Sequence, residues 1–130
     1  MKEFIEKSRS NYFKVSSGAG FEKLCEKWGL EILYGESGIR AGQFGFIISD
    51  GNKQKGRSIH KFKKELSELL EEGEICIVRT IAYERDTMDE LHARTIAIDA
   101  QGRELIVDLD DLFAMIRSVW GMDAGTPEEL

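Results

Sequence analysis

The stretch EICIVRTIAYERDTMDELHARTIAIDAQGRELIVDL, residues 74–109, decides the fold class. It holds three strand-like runs in succession with no helical pattern between them. Ile75-Cys76-Ile77-Val78 is a continuous apolar run, the mark of a strand in the middle of a sheet or covered on both faces. Across residues 93–99, Ile96 and Ile98 alternate with Thr95 and Ala97, and Gln101-Gly102 supplies a tight turn into residues 103–109. Those two segments read as a hairpin. Successive strands favour antiparallel pairing, because parallel neighbours need a long crossover between them.

Upstream of this stretch, Ile59, Phe62, Leu66, Leu69 and Leu70 fall on one helical stripe, with Ser58 as N-cap and Gly73 where a C-cap glycine belongs. Before it lie an exposed turn-rich loop (residues 50–57), a strand (residues 44–49), a glycine-rich break at Gly35, Gly38 and Gly42, and a strand over residues 30–34. Phe21, Leu24, Cys25 and Trp28 repeat at helical spacing and Gly29 closes that helix. The aromatic run SNYFKV, residues 10–15, reads as the first strand, and residues 1–8 as a loosely held lead-in. Downstream, Asp110 or Asp111 caps a last helix whose apolar face is Leu112, Phe113, Ile116, Val119 and Trp120, before Gly121 and a frayed tail at 122–130. The order βαββαβββα predicts an α+β domain spanning residues 1–130, a mostly antiparallel sheet with helices packed largely on one face.

A chain of 130 residues buries about two-thirds of its unfolded surface in one core, and 42% apolar with 32% charged residues suits a packed domain with a charged exterior. Cys25 and Cys76 sit inside apolar patterns and the first residues form no apolar leader, so reduced thiols in a cytoplasm, a host's if the chain is phage-encoded, are expected. No apolar run approaches the ~18 residues that span a bilayer, so no membrane contact is expected.

Catalytic signals are lacking. His60 lies among lysines and His92 precedes a strand, neither with a second metal ligand at zinc spacing. Gly18-Ala19-Gly20 opens a helix without matching a dinucleotide or P-loop pattern. Glu84, Asp86, Asp89 and Glu90 lack the glycine and terminal glutamate of a calcium loop. The expectation is a non-enzyme with no catalytic residue, metal or cofactor, working by binding.

Two charged groups are candidates for that binding. With a net charge of −6, the acidic set Glu68, Glu71, Glu72, Glu84, Asp86, Asp89 and Glu90 is expected on the surface, where it would complement a basic protein groove. The alternative is a phosphate-binding set, Lys53, Lys55, Arg57, Lys61 and Lys64, running from a loop onto a helix. No exposed aromatic interleaves those cations for base stacking, and Glu65 and Glu68 follow at i,i+4, so nucleic acid is the less favoured partner. Composition and spacing leave the oligomeric state open.

Arg9-Ser10-Asn11-Tyr12-Phe13-Lys14-Val15 resembles an N-terminal motif of small, uncharacterised proteins encoded by bacteriophages, plasmids and other mobile elements. Glu72-Gly73-Glu74-Ile75-Cys76-Ile77-Val78 and the helix opening Leu109-Asp110-Asp111-Leu112-Phe113 agree with it. The resemblance implies a mobile-element accessory protein. Such proteins often protect incoming DNA by blocking host restriction or CRISPR nucleases, whose nucleic-acid channels are basic. The expected function is anti-CRISPR-like or antirestriction-like inhibition of a host defence complex by stoichiometric protein–protein contact; the alternative is a nucleic-acid-binding regulator using residues 53–64.

Overall fold

A computed structural model describes residues 3–36, 38, 41–48, 59–123 and 125, with backbone only at 59 and 60. Six strands and three helices follow one another as β1 (Phe4–Ser10), α1 (Gly18–Trp28), β2 (Glu31–Tyr34), β3 (Phe44–Ile48), α2 (Ile59–Leu69), β4 (Ile75–Glu84), β5 (His92–Asp99), β6 (Glu104–Asp108) and α3 (Asp111–Trp120). All strand pairs are antiparallel, in the spatial order β2-β3-β1-β4-β5-β6. The expected element order and α+β class are present. The run at Ile75 does open a central strand, and residues 92–108 do form a hairpin, whose turn is tied by Asp99 accepting from the amides of Gln101 and Arg103 at 3.0 and 2.8 Å.

The expected first strand needs correction. The strand is Phe4–Ser10, lying between β3 and β4, so residues 4–8 belong to the centre of the sheet rather than to a loose lead-in. Its Glu6, Lys7, Ser8 and Arg9 carry no apolar alternation, which hides it from a hydrophobicity reading. The aromatic run begins where the strand ends. Asn11 keeps the pairing with β4 through its side chain, donating to the Ile75 carbonyl at 3.0 Å and accepting from the Ile77 amide at 2.8 Å, while its own amide donates to the Ile77 carbonyl. Phe13 then bridges Phe44 and is fully buried. Gly45 fits beside this bend because a Cβ there would lie 2.9 Å from the Asn11 carbonyl oxygen.

Phe21, Leu24, Cys25 and Trp28 of α1 meet Phe62, Leu66 and Leu70 at the end of α2, over Phe46, Cys76, Val78 and Ile98 of the sheet. Phe62 stands edge-on to both Trp28 and Phe46, with ring centres 5.8 and 5.5 Å apart, a favourable arrangement of ring quadrupoles. Trp28 Nε1 donates to Glu65, which also pairs with Lys27, so Glu65 ties α1 to α2. Two further expectations are corrected. Helix α2 ends at Leu69, and Gly73, at φ +86°, serves the turn before β4 instead of capping the helix. Helix α3 buries none of its residues: Phe113 and Ile116 are half-buried, and Trp120 is 70% exposed. The expected N-cap Ser58, the Ile59 side chain, and the tail positions 124 and 126–130 lie outside the described residues.

Candidate functional site

The paired strands place side chains in rows across the helix-bearing face, since directly opposed residues share a face. One row is Cys76 and Ile98; the next is Ser10, Val78, Ile96 and Ile106. Helices α1 and α2 cover both as far as β5. The third row, Ile48, Ser8, Thr80, Arg94 and Asp108, and the fourth, Glu6, Ala82 and His92, have no helix over them among the described residues. The inward positions of β4 announce this change: Cys76 and Val78 give way to Thr80 and Ala82.

An open groove of about 580 Å³ results. Its walls are mostly apolar, with Trp28, Leu30 and Phe62 on one side and Ile48, Val78 and Ile96 along the floor. Polar floor groups are bonded to one another. Ser8 and Thr80 share a hydroxyl–hydroxyl bond of 2.7 Å, and Arg94 grips Asp108 through two guanidinium nitrogens. Arg94 holds the Asp108 carboxyl below the usual carboxylate range. Asp110 and Asp111, where α3 begins, close the rim; beyond Asp111 no residue of α3 lines the groove.

Helix α3 and the strand before it are apolar and exposed. Leu112, Met115, Val119 and Trp120 on the helix, and Leu105, Ile106 and Val107 on the edge strand β6, are all open to solvent, Leu105 at 74%. Ile106 faces the groove side and Leu105 and Val107 the other side of the sheet, so the apolar surface continuous with the groove is that of Ile106 and α3. A monomer seldom leaves such a patch without a use for it.

The acidic candidates are not brought together. Glu68, Glu71 and Glu72 are exposed near the start of β4, whereas Asp86, Asp89 and Glu90 are exposed in the turn after its end. The ten residues of β4 separate the groups by about 30 Å at ~3.4 Å per residue. Glu84 is no surface residue at all. It is 4% exposed and accepts from the amides of Asp86 and Thr87 and from the Thr87 hydroxyl at 3.0, 2.7 and 2.7 Å, fixing the turn. Its expected part in an exposed acidic loop is therefore corrected: the carboxylate satisfies turn amides.

Of the basic alternative, Lys61 and Lys64 are exposed on α2, and Lys53, Lys55 and Arg57 lie outside the described residues. Lys63, between them, pairs with Glu104 of β6 at 2.7 Å. The Gly18-Ala19-Gly20 opening of α1 has a packing explanation: a Cβ at Gly18 would lie 3.1 Å from the Phe44 ring and one at Gly20 3.1 Å from Leu69. Burial pushes the Cys25 and Cys76 thiols up to about 12, with Glu22 adding to the effect at Cys25, so both are neutral thiols without nucleophilic character near pH 7. Among the described residues no cluster of His, Cys, Asp or Glu is arranged to hold a metal ion, and no helix is long and apolar enough to cross a membrane.

Sequence reasoning missed the groove because its floor comes from five strands far apart in the chain. The one local signal was the switch from Val78 to Thr80 and Ala82 at inward positions. No family model matches the chain, and no curated protein or solved structure matches it significantly.

Proposed function

We propose that this chain is a non-catalytic domain that works by contact with other protein surfaces, and that the open groove with α3 at its rim is its main docking site. The observation that carries this reading is a groove of ligand-binding size beside an amphipathic helix with no buried residue. An apolar stripe laid into an apolar groove is a recurrent mode of protein recognition. Ala82→Arg, which puts bulk and charge on the groove floor, tests it: partner capture is lost while the far-ultraviolet spectrum is kept. Undiminished capture by a folded Ala82→Arg chain defeats the reading.

The resemblance of residues 9–15 supports a narrower proposal, stoichiometric inhibition of a host restriction or CRISPR complex. In it, the exposed carboxylates Asp86, Asp89 and Glu90, or Glu68, Glu71 and Glu72, meet a basic channel of the target. Expression in cells carrying such a system is expected to raise plating of a susceptible phage, and reversal of either carboxylate group to lysine to reduce that protection. Plating unchanged across restriction and CRISPR hosts removes the narrower proposal and leaves the docking site standing.

A further inference from the structure

We propose that the groove is filled by helix α3 of a second copy of this chain, each copy lending its helix to the other around a twofold axis. This rests on reading the groove as a docking site and names its occupant. Both halves of the contact lie on one chain: a groove that no described helix covers and a helix that buries none of its residues. An isolated helix of ten residues is marginal in water, so α3 draws its stability from packing on something.

The dimensions agree. A groove of about 580 Å³ is roughly four times the ~150 Å³ cavity that accepts one benzene ring, room for about four large side chains. Leu112, Met115, Ile116 and Val119 make such a stripe at helical spacing. The third row crosses from β3 to β6, about 19 Å at ~4.8 Å per strand, and a ten-residue helix is about 15 Å long. The Ser8–Thr80 and Arg94–Asp108 bonds lower the cost of covering that row, and the remaining N–H donors of Arg94, a side chain half open to solvent, stay at the wet edge of the contact.

Area points to a second copy. On the groove side, Ile106, Leu109 and the exposed apolar residues of α3 present on the order of 700 Å², above the ~300–600 Å² of the largest patch of a typical monomer and close to the ~800 Å² buried per partner in a stable complex. Only Leu109 and Asp110 join β6 to α3, and the helix leaves from the rim of its own groove. Exchange across that rim is self-complementary, so it closes at two copies and leaves the acidic turns of both exposed for any further target.

Light scattering of the full chain across a wide concentration range is expected to give twice the chain mass. Val119→Asp combined with Trp120→Asp spoils the helix face, and Ala82→Arg, or Glu6→Trp should the first not fold, blocks the groove. Each is expected to raise the dimer dissociation constant by roughly a hundredfold, the effect of a lost hot spot. Mixing the helix variant with the groove variant restores a dimer through the one intact groove and the one intact helix. A groove variant that stays dimeric overturns the exchange in favour of edge-strand pairing. A monomeric wild type whose α3 resists proteolysis overturns it in favour of closure within one chain. A labelled peptide of residues 109–123 separates the two levels of the account. If it binds the helix variant while the wild type is monomeric, the exchange falls and the docking site stands. If the wild type is monomeric and the peptide does not bind, both fall.

Discussion

Helices α1 and α3 have nearly the same length and both carry an apolar stripe, yet α1 buries Phe21, Leu24, Cys25 and Trp28 whereas α3 buries nothing. The sheet divides in the same way. Where α1 and α2 lie, its inward side chains are Phe46, Cys76, Val78 and Ile98; beyond them the rows turn to Ser8, Thr80, Arg94 and Asp108. An amphipathic stripe therefore records that a helix is meant to be covered without recording by what. In the covered half the partner is local; in the open half no described helix supplies it, and on our proposal it comes from a second copy.

The largest expected contrast is in stability. Phe62→Ala and Leu66→Ala remove side chains at the centre of the covered half and should each cost about 2–5 kcal/mol. Trp120→Ala, on an exposed side chain, should cost the monomer less than about 0.5 kcal/mol. Denaturant melts at low protein concentration check both. A Trp120→Ala loss as large as that of Phe62→Ala would erase the distinction between the halves.

The bend at Asn11 marks how β1 is held in both halves at once, since the strand runs from the open rows into the core. Asn11→Ala removes a donor and an acceptor that stand in for strand backbone, leaving the Ile77 amide and the Ile75 carbonyl without them. A loss of about 1–3 kcal/mol is expected in the same melts. A neutral result would mean that water replaces the side chain there.

How much was legible in the sequence follows this same division. Strands β4 to β6 and the stripes of α1 and α2 were readable because burial imposes a period on them. Strand β1 was misplaced by a few residues because Glu6 and Ser8 face the open groove and carry no apolar period, while Phe13, which looks like a strand residue, sits past the bend. The RSNYF segment turns out to shape the backbone: Ser10 Oγ donates to the Asn11 carbonyl and accepts from the Phe46 amide, both at 2.8 Å. A likeness in that segment speaks to fold more than to a binding surface. The acidic candidates, expected on a helix end and a loop, do lie at opposite ends of β4, but spacing along the chain could not show that Glu84 turns inward.

Glu84 sharpens the comparison on the scale of one side chain. Glu84→Lys replaces an acceptor of three hydrogen bonds with a buried cation and should cost about 2–4 kcal/mol, whereas Asp89→Lys and Glu90→Lys, both exposed, should stay within about 0.5 kcal/mol of wild type. Equal effects would contradict the inward placement of Glu84.

The smallest effect is electrostatic. Lys27, with Trp28, holds the Glu65 carboxyl low in the covered half, and Arg94 holds Asp108 low in the open half. Lowered values mean that the unfolded chain binds more protons than the folded one. Their contribution is thus full above the ordinary carboxylate value of about 4 and drains away as pH falls through it towards the lowered values. Both pairs reach solvent, so the slope should be shallow and should shrink further in high salt. Melting temperatures through this acid range check it, with Glu65→Gln and Asp108→Asn each flattening the profile.

Amide hydrogen exchange along α3, followed as the protein is concentrated, tests most directly whether the open half docks the helix of a second copy. Protection of residues 111–120 is expected to rise with concentration in step with the dimer, while the α1 amides stay unchanged. Exchange in α3 that remains as fast as in a free peptide at every concentration, or protection that does not depend on concentration, would contradict it.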